Sequence, residues 1–293
     1  MMRSLFSAVS GLRTHQTRMD VIGDNIANVN TVGFKGSTVT FKDVFYQTLR
    51  GGSAGTQDIG GTNPQQVGLG VTLASIDVVH TQGAAQYTGN VTDLMIQGDG
   101  FFVVEIAQGT YAYTRAGAFH FDDAGYLVTV DGYKVQVVDN NGKLSDVKLP
   151  LKSDDSNIGG FKDESNNSPT QLDGPPQSVS IDSKGIIHIV DANGGHYQSY
   201  PLALAKFPNP AGLEKIGSNL YVKAPAAGNE EKGTAGTDAF ANTIIIPSAL
   251  EMSNVELARE FSDMIVTQRG FQANARVITA SDEMLQELVN LKR

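Results

Sequence analysis

From residue 250 to residue 285 the chain carries an apolar side chain at every seventh position. This stripe consists of Leu250, Leu257, Met264, Phe271, Ile278 and Leu285, with Phe261 on a companion stripe. Seven residues fall slightly short of two full helical turns, so helices with this period wrap around one another and bury the stripe between them. The pattern therefore predicts a C-terminal helix over residues 247–293 that requires a partner helix.

The first thirty residues repeat this pattern. One stripe holds Leu5, Leu12, Met19 and Ile26, and a second stripe, offset by three, holds Ala8, His15, Ile22 and Val29. We expect an N-terminal helix over residues 1–30 and a bundle in which the two chain ends meet. Gly11 and Gly23 each lower helix stability by about 1 kcal/mol, so the ends are predicted to be poorly ordered until a partner covers them.

Two features of these stripes leave alternatives open. Two amphipathic helices that cap an ordinary core would give a similar apolar pattern. The C-terminal companion stripe also carries Asn254, Gln268 and Asp282. These polar residues indicate either a loose or curved seam, or a helix packed among several neighbours that turns them toward water or uses them to fix register.

The middle of the chain has the pattern of short β-strands. Between residues 71 and 223, β-branched and aromatic runs alternate with Gly- and Asx-containing turns, which predicts an antiparallel β domain. Residues 152–176 have few large apolar side chains and are interpreted as an exposed loop or a vestigial insertion. The predicted fold class is mainly β, with long terminal helices that form a coiled-coil-like domain carrying the β domain.

Two predicted connectors join these parts. Residues 31–70 are predicted to be an extended connector, and residues 224–246 a second connector that leads to the C-terminal helix. The first is rich in glycine, and we assign its flexibility to Gly33, Gly51, Gly52, Gly60 and Gly61.

Composition excludes several classes of function. The 293 residues include 22 Lys and Arg against 31 Asp and Glu, and this net charge of −9 argues against a nucleic-acid partner or an anionic membrane. The absence of cysteine removes disulfides and thiolate chemistry. We find no cleavable signal peptide and no apolar run long enough to span a bilayer, which taken alone indicates a cytoplasmic protein.

No motif predicts catalysis, a metal site or a cofactor. The five histidines lack metal-ligand spacing, and residues 191–195 begin like a calcium loop but have Leu202 where a bidentate Glu is needed. We therefore expect a structural protein rather than an enzyme. A surface adhesin or binding module is the alternative of another class.

Several motifs are similar to those of the bacterial flagellar rod and hook protein family. They are SGL at residues 10–12, DNIANVNTVGFK at 24–35, TDLMIQGDGFF at 92–102, YTRAGAF at 113–119, SNVELAREF at 253–261, QRGFQANAR at 268–276 and DEMLQELVNLK at 282–292. Residues 40–49, 60–70 and 265–270 look more like a hook protein. Many hook proteins carry an additional outer β domain, of which only residues 152–176 could be a remnant here, and this keeps the distal rod as the alternative.

The resemblance implies a subunit that self-assembles into the tubular flagellar hook, a flexible joint that transmits torque from rod to filament. It implies that the heptad residues are assembly contacts, with copies of the chain, the distal rod, the hook–filament junction and the hook cap as partners. Export through the flagellar type III apparatus without a cleavable signal would replace the cytoplasmic expectation. No nucleic acid, membrane insertion or cofactor is implied.

Overall fold

The computed structural model describes residues 2–55, 60–139, 142–149, 161–163, 176–192, 194–237 and 240–291. Helix α1 covers Met2–Ala27, and helix α2 covers Leu257–Leu291. The strands between them are β1 Ser37–Asp43, β2 Tyr46–Arg50, β3 Gln65–Gly68, β4 Val71–Val78, β5 Ala85–Tyr87, β6 Leu94–Gln97, β7 Phe101–Ala107, β8 Thr110–Thr114, β9 Phe119–Phe121, β10 Leu127–Thr129, β11 Lys134–Val138, β12 Leu144–Asp146, β13 Phe161–Asp163, β14 Pro176–Ile181, β15 Ile187–Asp191, β16 His196–Ser199, β17 Leu204–Lys206, β18 Glu214–Gly217, β19 Leu220–Val222, β20 Glu231–Gly233, β21 Ile244–Pro247 and β22 Ala249–Glu251. The prediction of a mainly antiparallel β protein with a long helix at each end is confirmed.

The chain folds as two compact units. The helical unit consists of Met1–Asn28, Gly36–Val79 and Val255–Arg293, and the β unit consists of Val29–Lys35 and His80–Asn254. Within the helical unit, α1 packs along α2 and also contacts the antiparallel pair formed by β1 and β4. The two chain ends therefore meet in one helix pair, as expected from their apolar stripes.

The two helices run antiparallel and approach closely. Three facing pairs show the direction, Gly11 with Asn274, His15 with Gly270, and Arg18 with Asp263. A Cβ added at Gly11 would lie 2.7 Å from Asn274 Nδ2, and one at Gly270 would lie 2.8 Å from the His15 ring. Glycine at these two positions therefore lets the Asn274 and His15 side chains lie close to the opposite helix, and a Cβ there would require those side chains to shift.

Small and hydroxyl-bearing residues make up much of the buried side of each helix. Thr267 and Ser281 are buried on α2, and the buried residues of α1 are Ala8, Gly11, Thr14, Ile22 and Asn25. The Thr267 hydroxyl donates to the Asp263 carbonyl at 2.7 Å, and the hydroxyls of Thr14 and Ser281 also donate to carbonyls of their own helices. Since each buried hydroxyl has a partner, it can be buried without an unpaired donor.

The β unit contains two main sheets. The larger, ten-stranded sheet has the order β18-β19-β8-β7-β11-β10-β9, and β12, β17 and β20 pair at its margins. The other has the order β13-β16-β15-β14. Two further pairs, β21 with β6 and β22 with β5, join residues that follow the sheets to residues that precede them.

The main core of the β unit comes from apolar residues of these strands. Leu94, Phe102, Ile187 and Leu202 are fully buried, and the rings of Phe102 and Phe119 meet edge to face at 5.2 Å. Burying each such side chain contributes roughly 1.5–3 kcal/mol. The β unit therefore has its own hydrophobic core.

The second predicted connector differs from the structure. Residues 224–246 contain β20 and most of β21, and Phe240 and Ile245 are each 1% exposed. The predicted helix over 247–293 begins only at Leu257, because β22 comes first. The β-branched run at 244–246 supplies an inward-facing side chain to the core, and this favours strand pairing over a loose linker.

The first predicted connector also contains regular structure. Residues 31–70 include β1, β2 and β3, and β2 pairs with β3 to form a hairpin. Within the segment that connects β2 to β3, Ser53 and Thr62 exchange backbone hydrogen bonds at 3.1 Å. The extended linker was predicted from glycine content alone. The residues on either side of the glycine-rich segment pair as β-strands instead.

Most of the loop predicted at 152–176 lies outside the described residues. Within that range, β13 pairs with β16, and β14 begins at Pro176.

A buried carboxylate joins four segments of the β unit. Glu251 at the end of β22 is fully buried, and its Oε1 lies 2.6 Å from Lys35 Nζ while its Oε2 lies 3.3 Å from Arg115 Nη1. The Gly83 N–H also donates to Oε1 at 2.9 Å, and the Gly33 N–H donates to the Glu251 carbonyl at 2.7 Å. One side chain thereby ties the segment after α1 to the sheet and to the strand before α2.

Backbone carbonyls also accept hydrogen bonds from the two cations. Lys35 Nζ donates to the Thr81 carbonyl at 2.7 Å, and Arg115 Nη2 donates to the Gly98 carbonyl at 2.7 Å. Burial lowers the pKa of both Lys35 and Arg115, and the Glu251 carboxylate opposes that shift. The carboxylate is therefore the group that makes two buried positive charges tolerable.

His80 lies beside this cluster in an aromatic setting. Its ring meets Phe101 at 5.5 Å and Tyr221 at 5.6 Å between centroids. Burial lowers the pKa of His80 to about 4, and the positive charges of Lys35, Arg115 and Lys215 add to the shift, which the Pro210 backbone opposes. The imidazole is therefore neutral at pH 7.

Replacing Glu251 with Gln tests the role of the buried carboxylate. Glu251→Gln leaves two buried cations without a counter-charge, and we expect the free energy of unfolding to fall by about 3–5 kcal/mol. Glu214→Gln, an exposed carboxylate in β18, should change it by less than about 0.5 kcal/mol. Chemical denaturation of both variants checks this, and equal effects would contradict the assignment.

Two glycine substitutions test the helix seam. Gly23→Ala meets no neighbouring atom within 4 Å and should stabilise α1 by up to about 1 kcal/mol. Gly270→Ala gains similar helix propensity but pushes on the His15 ring, so it should unfold at a lower temperature than Gly23→Ala. Circular dichroism melts at 222 nm measure both, and the opposite order would refute the close approach.

The low pKa of His80 predicts acid sensitivity. The unfolded ring binds a proton near pH 6.5 and the folded ring only near pH 4, so stability falls as pH drops through this window and is fully present above it. The total loss is on the order of 3 kcal/mol. His80→Gln should flatten the pH dependence of unfolding between pH 6.5 and 4, and an unchanged slope would show that another group is responsible.

Candidate assembly surface

Exposed apolar side chains are concentrated in the helical unit. Of the 24 large apolar side chains that are exposed among the described residues, 19 belong to this unit. They are Met2, Phe6, Val9, Phe45, Tyr46, Leu49, Val67, Leu69, Ile76, Leu257, Phe261, Ile265, Val266, Phe271, Val277, Met284, Leu288, Val289 and Leu291. An excess of exposed apolar side chains on one unit is typical of a protein–protein contact.

The predicted C-terminal stripe divides into three groups. Leu250 lies in β22 and not in the helix, because the strand extends past the start of the heptad pattern. Leu257 and Phe271 are exposed, as is the companion-stripe residue Phe261. The remaining stripe residues, which are half-buried, are Met264, Ile278 and Leu285.

The position of the seam explains this division. The fully buried residues of α2 are Thr267 and Ser281, so the apolar stripe runs beside the contact with α1 rather than through its centre. A stripe at the margin of one contact can also contact a further helix.

The N-terminal stripes behave in a similar way. Leu5, Leu12, Met19 and Ile26 are half-buried, whereas Ile22 of the offset stripe is 4% exposed and Ala8 is equally buried. The offset stripe is therefore the more deeply buried of the two.

Several exposed residues were not predicted from the sequence. On α1 these include Phe6, which is 68% exposed, and on α2 they include Ile265 and Val266, which are 58% and 62% exposed. They lie outside the seven-residue period that defined the stripes. The spacing of Phe261 and Ile265, four residues apart, is the signal that would have indicated a second apolar face on α2.

The glycines assigned to a flexible connector lie in different environments. Gly33 is buried, has a φ of +69°, and an added Cβ would lie 2.5 Å from the Ala116 nitrogen. Gly33 is thus tightly packed within the β unit, whereas a residue of a flexible connector would not be. Gly51, Gly52, Gly60 and Gly61 are exposed and lie in the segment that connects β2 to β3.

The described residues show no arrangement typical of metal chemistry. No group of three or more His, Cys, Asp or Glu side chains is placed there to hold a metal ion. Among the same residues, neither helix is both long enough and apolar enough to cross a bilayer.

Family comparisons match three separate parts of the chain. Residues 5–35 match the description "Flagella basal body rod protein", residues 95–189 match "Flagellar hook protein FlgE/F/G D1 domain", and residues 246–291 match "Flagellar basal body rod FlgEFG protein C-terminal". The first and last matches include most of α1 and all of α2, and the middle match covers much of the β unit.

Full-length relatives agree with these matches. The flagellar basal-body rod protein FlgG of Bacillus subtilis is 47% identical over 297 residues, with all of both chains covered. The FlgG protein of Borreliella burgdorferi is 36% identical over 295 residues, again with full coverage. The flagellar hook protein FlgE of the same organism is 32% identical over 444 residues, with both chains fully covered. The chain therefore belongs to the bacterial flagellar rod and hook protein family, whose members are structural components of the flagellar axis.

Proposed function

We propose that this chain is a self-assembling subunit of the flagellar rod, in its distal part. The observation that carries the proposal is the concentration of exposed apolar side chains on the helical unit. Copies of the helical unit can cover these surfaces for one another by head-to-tail contacts that do not close, and such contacts build an open-ended tube.

Length and identity favour the rod over the hook. The FlgG relatives align over 297 and 295 residues, close to the 293 of this chain, whereas the alignment to the hook protein FlgE extends over 444. Many hook proteins carry an additional outer β domain, of which only residues 152–176 could be a remnant in this chain.

The hook remains the second candidate. Residues 40–49, 60–70 and 265–270 resemble hook proteins, and on this reading the subunit would form a flexible joint. The exposed glycines between β2 and β3 would then allow neighbouring subunits to change their spacing as the tube bends, and they are Gly51, Gly52, Gly60 and Gly61.

The proposed mechanism is mechanical. Close-packed helices resist compression, so torque would pass from subunit to subunit through contacts between helical units. The apolar residues Leu5, Leu12, Met19, Ile22 and Ile26 of α1 would stabilise this packing. The corresponding residues of α2 are Leu257, Phe261, Met264, Phe271, Ile278 and Leu285.

Partners and location follow from the same proposal. The subunit would contact copies of itself and neighbouring axial proteins, namely the rest of the rod and the hook, or the hook–filament junction and hook cap if it is a hook protein. It would leave the cell through the flagellar type III export apparatus without a cleaved signal. An adhesin would instead show a saturable ligand for the β unit in pull-down experiments.

A pair of isoleucine substitutions tests the assembly surface. Ile265 in the helical unit and Ile216 in the β unit are 58% and 52% exposed, so neither change should unfold the monomer. Ile265→Glu places a charge in the proposed contact and should raise the critical concentration for polymerisation by roughly tenfold or more, whereas Ile216→Glu should leave it nearly unchanged. Sedimentation of purified protein measures both, and equal effects would contradict the proposed surface.

Electron microscopy of a deletion strain distinguishes the rod from the hook. If the chain is a distal-rod subunit, the deletion strain should contain truncated rods. Complete rods without hooks would contradict the rod assignment and favour the hook. A strain rescued with the wild-type chain is the control for effects on neighbouring genes.

A further inference from the structure

The β unit contains a cavity of about 240 Å³ that the assembly proposal does not use. Its lining residues combine aromatic and proline side chains with ionisable groups. They are His80, Asp99, Gly100, Phe101, Arg115, Lys206, Phe207, Pro208 and Pro210. This volume is large enough for a small organic group.

Two side chains in the lining carry unpaired polar atoms. Arg115 is 5% exposed, and its Nε is buried and makes no hydrogen bond. Both ring nitrogens of His80 are also buried without a partner of hydrogen-bond geometry, and a neutral imidazole carries an N–H on one of them. The Arg115 Nε–H therefore has no acceptor, and the His80 N–H has only the Pro210 backbone beside it, outside hydrogen-bond geometry. An unpaired buried donor is costly.

The charges around the cavity are mainly positive. Arg115 and Lys206 lie in the lining, and Lys35 and Lys215 are close enough to lower the pKa of His80. The neighbouring carboxylates are Glu251, which contacts Lys35 and Arg115, and Asp99, which lies 3.3 Å from Lys206. Four cations against two carboxylates make a positive site in a protein whose net charge is −9.

The rest of the lining is apolar. Phe101 and Phe207 meet at 6.2 Å between centroids, and Arg115 lies over the Phe101 ring at 5.5 Å. Pro208 and Pro210 add further apolar surface. Such a lining suits methylene groups and gives no advantage to a strongly hydrated inorganic anion.

We propose that this cavity binds a carboxylate group carried on a short apolar stem. The two oxygens of the carboxylate would accept from Arg115 Nε and from the His80 ring, Lys206 would attract it at the rim, and the stem would contact Phe101 and Phe207. This ligand matches the cavity in charge, in the number of acceptors and in polarity.

The carboxylate can come from two sources. One is a free small carboxylate. The other is a Glu or Asp side chain of a second copy of this acidic chain, and this second source rests on the proposed function. The chemistry is the same in both cases, so the binding test begins with the monomer and does not depend on assembly.

The test is an NMR titration of the full chain with butyrate, which reproduces a glutamate side chain, and with butyramide as the neutral control. Butyrate should shift the His80 ring resonances to saturation and raise the pKa of His80, because a negative charge arrives beside the ring. Butyramide should do neither. No shift at His80, or equal effects of the two compounds, would overturn the proposal.

Two lysine variants give the test a matched control. Lys206→Met removes the positive charge at the rim and should weaken butyrate binding by roughly threefold or more. Lys143→Met removes an exposed lysine of the β unit that does not line the cavity and should leave binding unchanged. Identical affinities for the two variants would contradict the site.

Repeating the titration on assembled protein identifies the source. If a neighbouring copy supplies the carboxylate, assembly should abolish butyrate binding, and His80 should keep the raised pKa without butyrate. If the ligand is a free carboxylate, butyrate should bind assembled and monomeric protein equally. Failure to assemble would concern only the proposed function, because the monomer titration stands alone.

Discussion

The close approach of α1 and α2 determines what the helical unit presents to its surroundings. Gly11 and Gly270 face side chains of the opposite helix, and small residues such as Thr267 and Ser281 occupy the buried side of α2. A narrow seam of this kind leaves little room for large apolar residues, and Ile22 is the one large apolar side chain of the two described helices that is buried. The others are half-buried or exposed, and exposed apolar surface is typical of a contact with another protein. The assembly proposal follows from this arrangement.

The β unit depends on a different interaction, the buried contact of Glu251 with Lys35 and Arg115. This cluster joins residues just after α1 to residues just before α2, so the points at which the chain enters and leaves the β unit are fixed to the same sheet. Buried ion pairs are weak sources of net stability, but removing one partner is costly, and they favour one arrangement over its alternatives. Both connections to the helical unit are thus held at defined positions within the β unit.

The sequence predicted the fold class well and the details less well. Seven-residue periodicity located both helices, and strand patterns with Gly and Asx turns indicated the antiparallel β unit. Leu250 was placed in the helix because its spacing continues the seven-residue stripe. Periodicity alone cannot distinguish a helical residue from a residue of a short strand at that position. Gly33 was assigned to a joint because glycine composition does not reveal whether a positive φ serves motion or close packing. The contact of Lys35 with Glu251 spans 216 positions, and no local pattern could have predicted it.

The central claim is that the outer apolar faces of α1 and α2 are covered only by other copies of the chain. Hydrogen–deuterium exchange of dilute monomer and of assembled protein tests it most directly, with peptides from α2 compared with peptides from β7 of the buried sheet. The account predicts rapid exchange in α2 of the monomer, strong protection after assembly, and little change in β7. Equal protection of α2 in the two states would contradict it.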